Sequence, residues 1–95
     1  MRIISNSKNV AVSAAVYKAL PYGEATMVDS WSKHHAGGQG MPKDGWSPSV
    51  PTGDKYYVYF NVTFGPTTGK LIAATGGVSS DGTVTLTEND RIVVT

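Results

Sequence analysis

Residues 55–75 constrain this chain most, because a long β-pattern, a turn and a second β-pattern follow one another there without interruption. From Lys55 to Phe64 the side chains alternate: Tyr56, Val58, Phe60, Val62 and Phe64 point one way, Tyr57, Tyr59, Asn61 and Thr63 the other. That is the pattern of a central strand with one face in a core. Gly65-Pro-Thr-Thr-Gly69 follows, with two glycines for positive φ and a proline that cannot stay in a ladder, and Lys70 to Thr75 resumes an extended apolar run. The stretch therefore predicts a hairpin.

Downstream the β-signals continue. Gly76-Gly77 breaks the second strand, and Ser80-Asp81-Gly82 carries the Asp-Gly pair that suits a type I′ turn. Residues 83–87 alternate with Val84 and Leu86 inward, and Ile92 to Thr95 form a last strand with no charge to block strand addition. The prediction is an antiparallel four-stranded meander, joined by a fifth strand from Arg2 to Ser5.

The amino-terminal half reads differently. Val10 to Leu20 fits two periods: a helical stripe of Val12, Ala15, Val16, Ala19 and Leu20, or a strand face of Val10, Val12, Ala14, Val16 and Leu20. Its length and four alanines favour a helix capped by Ser7 or Asn9 and ended before Pro21. From Glu24 to Ala36, Met27, Val28, Trp31 and His35 recur at helical spacing, with Lys33, His34 and His35 at the end that favours cations. A second helix is predicted. The fold class expected is therefore α+β, one or two amino-terminal helices packed on the carboxy-terminal meander, in a single domain of residues 1–95. The alternative is an all-β sandwich or barrel with residues 10–20 as a strand.

Residues 37–54 hold five glycines and three prolines and show neither period. Loops of that length inside a small domain are uncommon and tend to carry function. Met41, Trp46 and Val50 are its large apolar side chains, and they are the residues there expected to meet a partner.

Composition narrows the function classes. Charged residues make up 16%, against ~25% in an average soluble protein, a balance that suits a surface covered by another chain. Eight basic and seven acidic residues are scattered singly, so no cationic stripe exists to neutralise a row of phosphates, and nucleic acid is not an expected partner. The absence of cysteine removes thiolate nucleophiles and thiolate metal sites. The first residues lack the apolar run of a classical secretion signal and no segment could span a bilayer, so synthesis and folding in a cytoplasm are expected, with no membrane role.

The reactive side chains give no constellation of known spacing. His34 and His35 are adjacent where a helical zinc pair is spaced i, i+4. Asp29, with Ser30 and Ser32 nearby, sits too close in sequence for one helix to build a triad with them, and its i, i+4 relation to Lys33 predicts a simple ion pair. Gly65-Pro-Thr-Thr-Gly-Lys70 lacks the spacing of a phosphate loop and leads into a strand. Asn61-Val-Thr63 matches the glycosylation pattern but lies inside the best strand of a chain without a secretion signal, and is read as coincidence. No catalytic residue, metal or cofactor is expected. Tyr57 and Tyr59, on the second face of the strand, are expected to be covered by a loop or a neighbouring subunit; stacking of bases or sugars is the lesser alternative.

These readings predict a non-enzymatic structural or assembly protein, an oligomer or assembly component whose partners are other protein subunits, self or heterologous, met through Met41, Trp46, Val50, Tyr57 and Tyr59. In texture the composition is similar to small accessory proteins of phage particles, meaning capsid decoration or tail components, which implies a virion location; no motif carries that likeness. The alternative is a small monomeric inhibitor or ligand-binding module acting on one partner protein through the loop around Trp46. A third class is a small enzyme using Asp29, His34 or His35.

Overall fold

The computed structural model describes residues 1–8, 11–35 and 37–95. Asn9 and Val10, considered above for a cap and a strand face, and Ala36, the expected end of the second helix, lie outside the described residues. Among the described residues seven strands and one helical turn follow in order: β1 (Arg2–Ser5), β2 (Val12–Ala19), β3 (Ala25–Ser30), α1 (Trp31–His34), β4 (Lys55–Val62), β5 (Leu71–Ser79), β6 (Thr83–Leu86) and β7 (Ile92–Val94). They form a four-stranded sheet in the order β3-β2-β4-β5 and a three-stranded sheet in the order β1-β6-β7. Strands account for 47% and helix for 4% of the structure. The expectation of helices packed on a sheet is thus overturned.

The first correction concerns Val12–Ala19, a strand where the alanines favour a helix. It lies between β3 and β4, antiparallel to both, so its backbone is paired on both sides. Val12, Ala14 and Val16 all turn into the core. Helix preference is worth only a few tenths of a kcal/mol per residue, whereas each buried valine contributes about 1.5–3 kcal/mol. Packing wins. The second correction concerns Glu24 to Ala36. Residues 25–30 are β3, and helix is confined to one turn, Trp31–His34, capped by Ser30, whose hydroxyl accepts from Lys33 N at 3.2 Å. The pairing of β2 with β3 shifts register between Val16 and Tyr17. That bulge adds a residue near Val28 and destroys the two-residue alternation, leaving an apolar spacing that imitates a helix.

The carboxy-terminal strands are present but do not form one meander. β4 and β5 pair as a hairpin in the larger sheet. The chain then crosses at Ser80-Asp81-Gly82, and β6 pairs with β7 in the smaller sheet. β1 joins β6 in parallel, Ile3 opposite Val84. Gly76-Gly77 does not end β5; the strand runs through it with a register shift opposite Tyr57. Gly82 N donates to Ser79 O at 3.0 Å, and neither Ser80, Asp81 nor Gly82 has positive φ, so the turn is not type I′.

The two sheets share one core. Val12, Ala14 and Val16 from β2, Tyr56, Val58 and Phe60 from β4, and Val78 from β5 meet Ile3, Val84 and Leu86 from the smaller sheet. The inward parity of β4 holds through Val62, whereas Phe64 lies beyond the strand and is 59% exposed. Residues 37–54 are laced to the body: Met41 N donates to Val12 O at 2.9 Å, and Ile3 and Trp46 exchange both backbone hydrogen bonds at 2.8 Å. Gly45 permits this seat. Its φ is +91°, and a Cβ there would lie 2.6 Å from the Ile3 carbonyl oxygen.

Candidate functional site

The outer face of the larger sheet is built by the side chains that alternate away from the core. Three rows cross it. Met27, Tyr17 and Tyr57 stand opposite one another on β3, β2 and β4; Ala15, Tyr59 and Ala74 form the next row on β2, β4 and β5; Ser13, Asn61 and Leu71 form the third. Ala19 and Ala25 extend it at one end, where Lys55 is the charged side chain of β4's outward set. Between those ends the rows carry no charge. Met27 is 50% and Leu71 51% exposed, and Tyr57 39%.

The three tyrosines are arranged differently. Tyr17 and Tyr59 meet edge to face, centroids 5.2 Å apart at 82°, the geometry favoured by the ring quadrupole. Tyr57 leans the other way, over Gly76, where an added Cβ would fall 2.8 Å from its ring atoms Cδ1 and Cε1. The absence of a side chain at Gly76 is what lets the ring lie against the strand. Ala15, Tyr17, Ala25, Tyr59 and Asn61 enclose an open cleft of about 340 Å³.

Tyr57 and Tyr59, expected on the second face of β4, are on it. Their neighbours Tyr17 and Met27 were missed, since residues 10–20 and 24–36 are expected as helices; the parity of Ala15, Tyr17 and Ala19 in the strand alternative is the signal that finds the first. Met41, Trp46 and Val50, expected to meet a partner, are half-buried and pack on the core. Trp46 stands edge-on to Trp31, centroids 6.0 Å apart. The loop residues therefore lie apart from the tyrosine face, and much of their surface is already occupied by this chain.

Asp29 and His34 form a second cluster. Asp29 is the last residue but one of β3, opposite Val16, and is 3% exposed. Its Oδ1 accepts from His34 Nε2 at 2.7 Å and from Ser30 N at 2.9 Å, and its Oδ2 from Ser49 N at 2.9 Å. Burial pushes the carboxyl toward its neutral form, but the hydrogen bonds from Ser49, His34 and Ser30 outweigh it and hold Asp29 below the usual carboxylate range. The expected Asp29–Lys33 pair does not form; Lys33 donates its backbone N–H to Ser30 instead. His35 stacks on Trp31, centroids 3.4 Å apart, and donates Nδ1–H to the Trp31 carbonyl at 3.0 Å. Two adjacent histidines thus point to different partners. Among the described residues no hydroxyl is hydrogen-bonded to either, and no three His, Asp or Glu side chains gather as a metal site. The arrangement ties β3, α1 and the 47–50 segment together.

The remaining sequence candidates are structural. In the hairpin loop of 65–70 the N–H groups of Thr68, Gly69 and Lys70 donate to the carbonyls of Gly65, Val62 and Thr67, which leaves no cradle for a phosphate. Asn61 projects outward into the cleft. Strand β7 pairs with β6 along one side, and Val93 and Val94 are 48% and 46% exposed. Among the described residues no helix is long and apolar enough to cross a membrane. Comparison with protein-family models, with curated proteins and with solved structures finds no match to this chain.

Proposed function

We propose that this protein is a non-enzymatic contact or assembly module that docks other protein chains through the outer face of its β3-β2-β4-β5 sheet. The observation that carries the reading is an uncharged face centred on Tyr17, Tyr57 and Tyr59 and flanked by exposed Met27 and Leu71. Aromatic residues and methionine with few charges characterise the centres of protein interfaces, and tyrosine offers large contact area at low entropy cost. Two further features support it. Strand β5, at one edge of that sheet, contains neither charge nor proline over its nine residues, so little on it deters a neighbouring chain. Two ion pairs, Asp29 with His34 and Lys18 with Asp54 at 3.0 Å, lie off the face. In this reading Asp29 and His34 hold the fold, and Tyr57 and Tyr59 meet the partner. The contact surface is thereby moved from Trp46 to the sheet.

The test compares wild type with Tyr59→Lys, which places a cation at the centre of the face, and with Glu88→Lys, which changes charge in the exposed turn before β7. Light scattering over a range of concentrations measures self-association. Partners co-purifying from the source organism are compared by mass spectrometry for the three baits. Loss of association or of a specific partner in Tyr59→Lys alone, with an unchanged circular dichroism spectrum, is the expected result. Identical behaviour of all three proteins refutes the proposal.

A further inference from the structure

The geometry points to Tyr17 and Tyr59 as a site of oxidative cross-linking, at which a one-electron oxidant joins the two rings through a carbon–carbon bond and so ties β2 covalently to β4. This goes beyond the contact reading and does not depend on it. The rings meet edge to face, centroids 5.2 Å apart at 82°. They belong to diagonal positions of neighbouring strands, since Tyr17 stands opposite Tyr57, and the ladder itself holds such a pair within reach of aromatic side chains. Both are half-buried along an open cleft. An oxidant in solution therefore reaches rings that the sheet keeps together. The chain has no cysteine, so no thiol competes for the radicals and no disulfide performs the same tie.

The other tyrosines are placed so that the bond is selective. Tyr57 leans away over Gly76. Tyr56 is buried, with its hydroxyl donating to the carbonyl of Pro51. Tyr22, in the turn between β2 and β3, is almost fully exposed and makes no ring contact with another described residue, so it couples only to another molecule. At the Tyr17–Tyr59 pair each phenol gives one electron to the oxidant and one proton to solvent, leaving a phenoxyl radical whose unpaired electron is shared with the carbons ortho to oxygen. One ortho carbon of each ring forms the new bond. The hydrogen each carries then moves to its oxygen, which restores both aromatic rings and both hydroxyls. Two equivalents of oxidant are reduced and the protein loses two hydrogen atoms. Bringing the ortho carbons face to face requires rotation about χ2, a broad torsion in tyrosine.

The experiment exposes the full chain, at low micromolar concentration and carrying Tyr22→Phe to suppress coupling between molecules, to ruthenium(III) tris-bipyridine generated by light and persulfate, with free tyrosine oxidised in parallel as a positive control. Intact mass, dityrosine fluorescence and a tryptic map are read. The expected product is a monomer lighter by two hydrogens in which the peptide 9–18 is joined to the peptide 56–70. Adding Tyr17→Phe or Tyr59→Phe, each of which keeps a ring in place, abolishes that product, whereas adding Tyr57→Phe leaves it. In denaturing urea the yield falls and the bond spreads over the other tyrosines. Coupling between molecules only, a cross-link that survives Tyr59→Phe or is lost with Tyr57→Phe, the same yield and pattern in urea, or no cross-link while free tyrosine couples overturns the inference.

Discussion

Replacing Asp29 by asparagine keeps the shape of the side chain and removes its charge, which isolates what the buried carboxylate contributes. Three donors converge on it: Ser30 N, Ser49 N and His34 Nε2, at 2.9, 2.9 and 2.7 Å. An asparagine has one acceptor oxygen and one NH₂, so at least one of these donors faces another donor. Orphaning a buried backbone N–H costs ~1–3 kcal/mol, and the surviving bonds lose the strength a charged acceptor gives, for a total of about 2–4 kcal/mol. In a domain of this size that lowers the melting temperature on the order of 10–25 °C. The pH dependence gives the sharper check. The folded carboxyl lies below its ordinary value because the hydrogen bonds outweigh the burial that opposes them. The stabilisation is therefore fully present above the unfolded value of about 3.9 and is lost as pH falls through the lower folded value. The gap between wild type and Asp29→Asn should close as pH falls below about 4. Asp81, also held low chiefly by the Ser79 hydroxyl, is present in both proteins and cancels in the difference. Urea denaturation across that range measures it. A gap under about 0.5 kcal/mol at neutral pH, or one that persists unchanged into acid, would refute the assignment of Asp29 as the tie between β3 and the 47–50 segment.

Gly45→Ala should destabilise by roughly 2 kcal/mol or more, since a left-handed φ costs about 1–2 kcal/mol for a residue with a Cβ and the new atom would meet the Ile3 carbonyl at 2.6 Å; chemical denaturation that shows no loss would mean the loop does not seat on β1. Trp46→Ala should lower folding stability by about 2 kcal/mol, near half the value for a fully buried tryptophan, because the ring is only half-buried beside Trp31. Association measured in parallel should fall no further than folding does; a selective loss of association would return Trp46 to the contact surface. Phe60→Ala, at a site with no exposure, should cost about 3–5 kcal/mol by calorimetry. Gly76→Ala should displace the Tyr57 ring at a cost of about 1 kcal/mol or less, because that side chain is exposed enough to swing away, and the change should appear in the near-ultraviolet circular dichroism.

What the sequence discloses about this fold follows from where its strands are regular. β4 is legible because its alternation is uninterrupted on the inward side from Tyr56 to Val62. β3 is not, because the bulge that accommodates Val28 shifts the phase halfway along six residues. The parallel pairing of β1 with β6 joins residues about eighty positions apart, and parallel partners share no turn to announce them. Asp29 gives no local sign of burial either. Its partners are a histidine five residues on and a backbone amide twenty residues on, and only the closed fold brings the second one near.

The ambiguous strand β2 links fold and site. Were residues 12–19 a helix, β4 would lose the neighbour that pairs it from Val12↔Val62 to Lys18↔Tyr56, and Tyr59 would lose its edge-to-face partner Tyr17, keeping Ala74 of β5 alone beside it. As a strand, the same residues send Val12, Ala14 and Val16 inward and Ala15 and Tyr17 outward, because successive side chains must alternate. The core then demands valine on one parity while the other parity is free of any packing requirement. A buried requirement would have been met by small or branched residues there too; a solvent-facing one is ordinarily met by charged or polar ones. Ser13, Ala15 and Ala19 suit either surroundings, but the tyrosine at 17 is neither small nor charged, and the tyrosine at 59 that meets it edge to face repeats the departure. That departure, beside exposed Met27 and Leu71, is the physical ground on which the contact is proposed for this face.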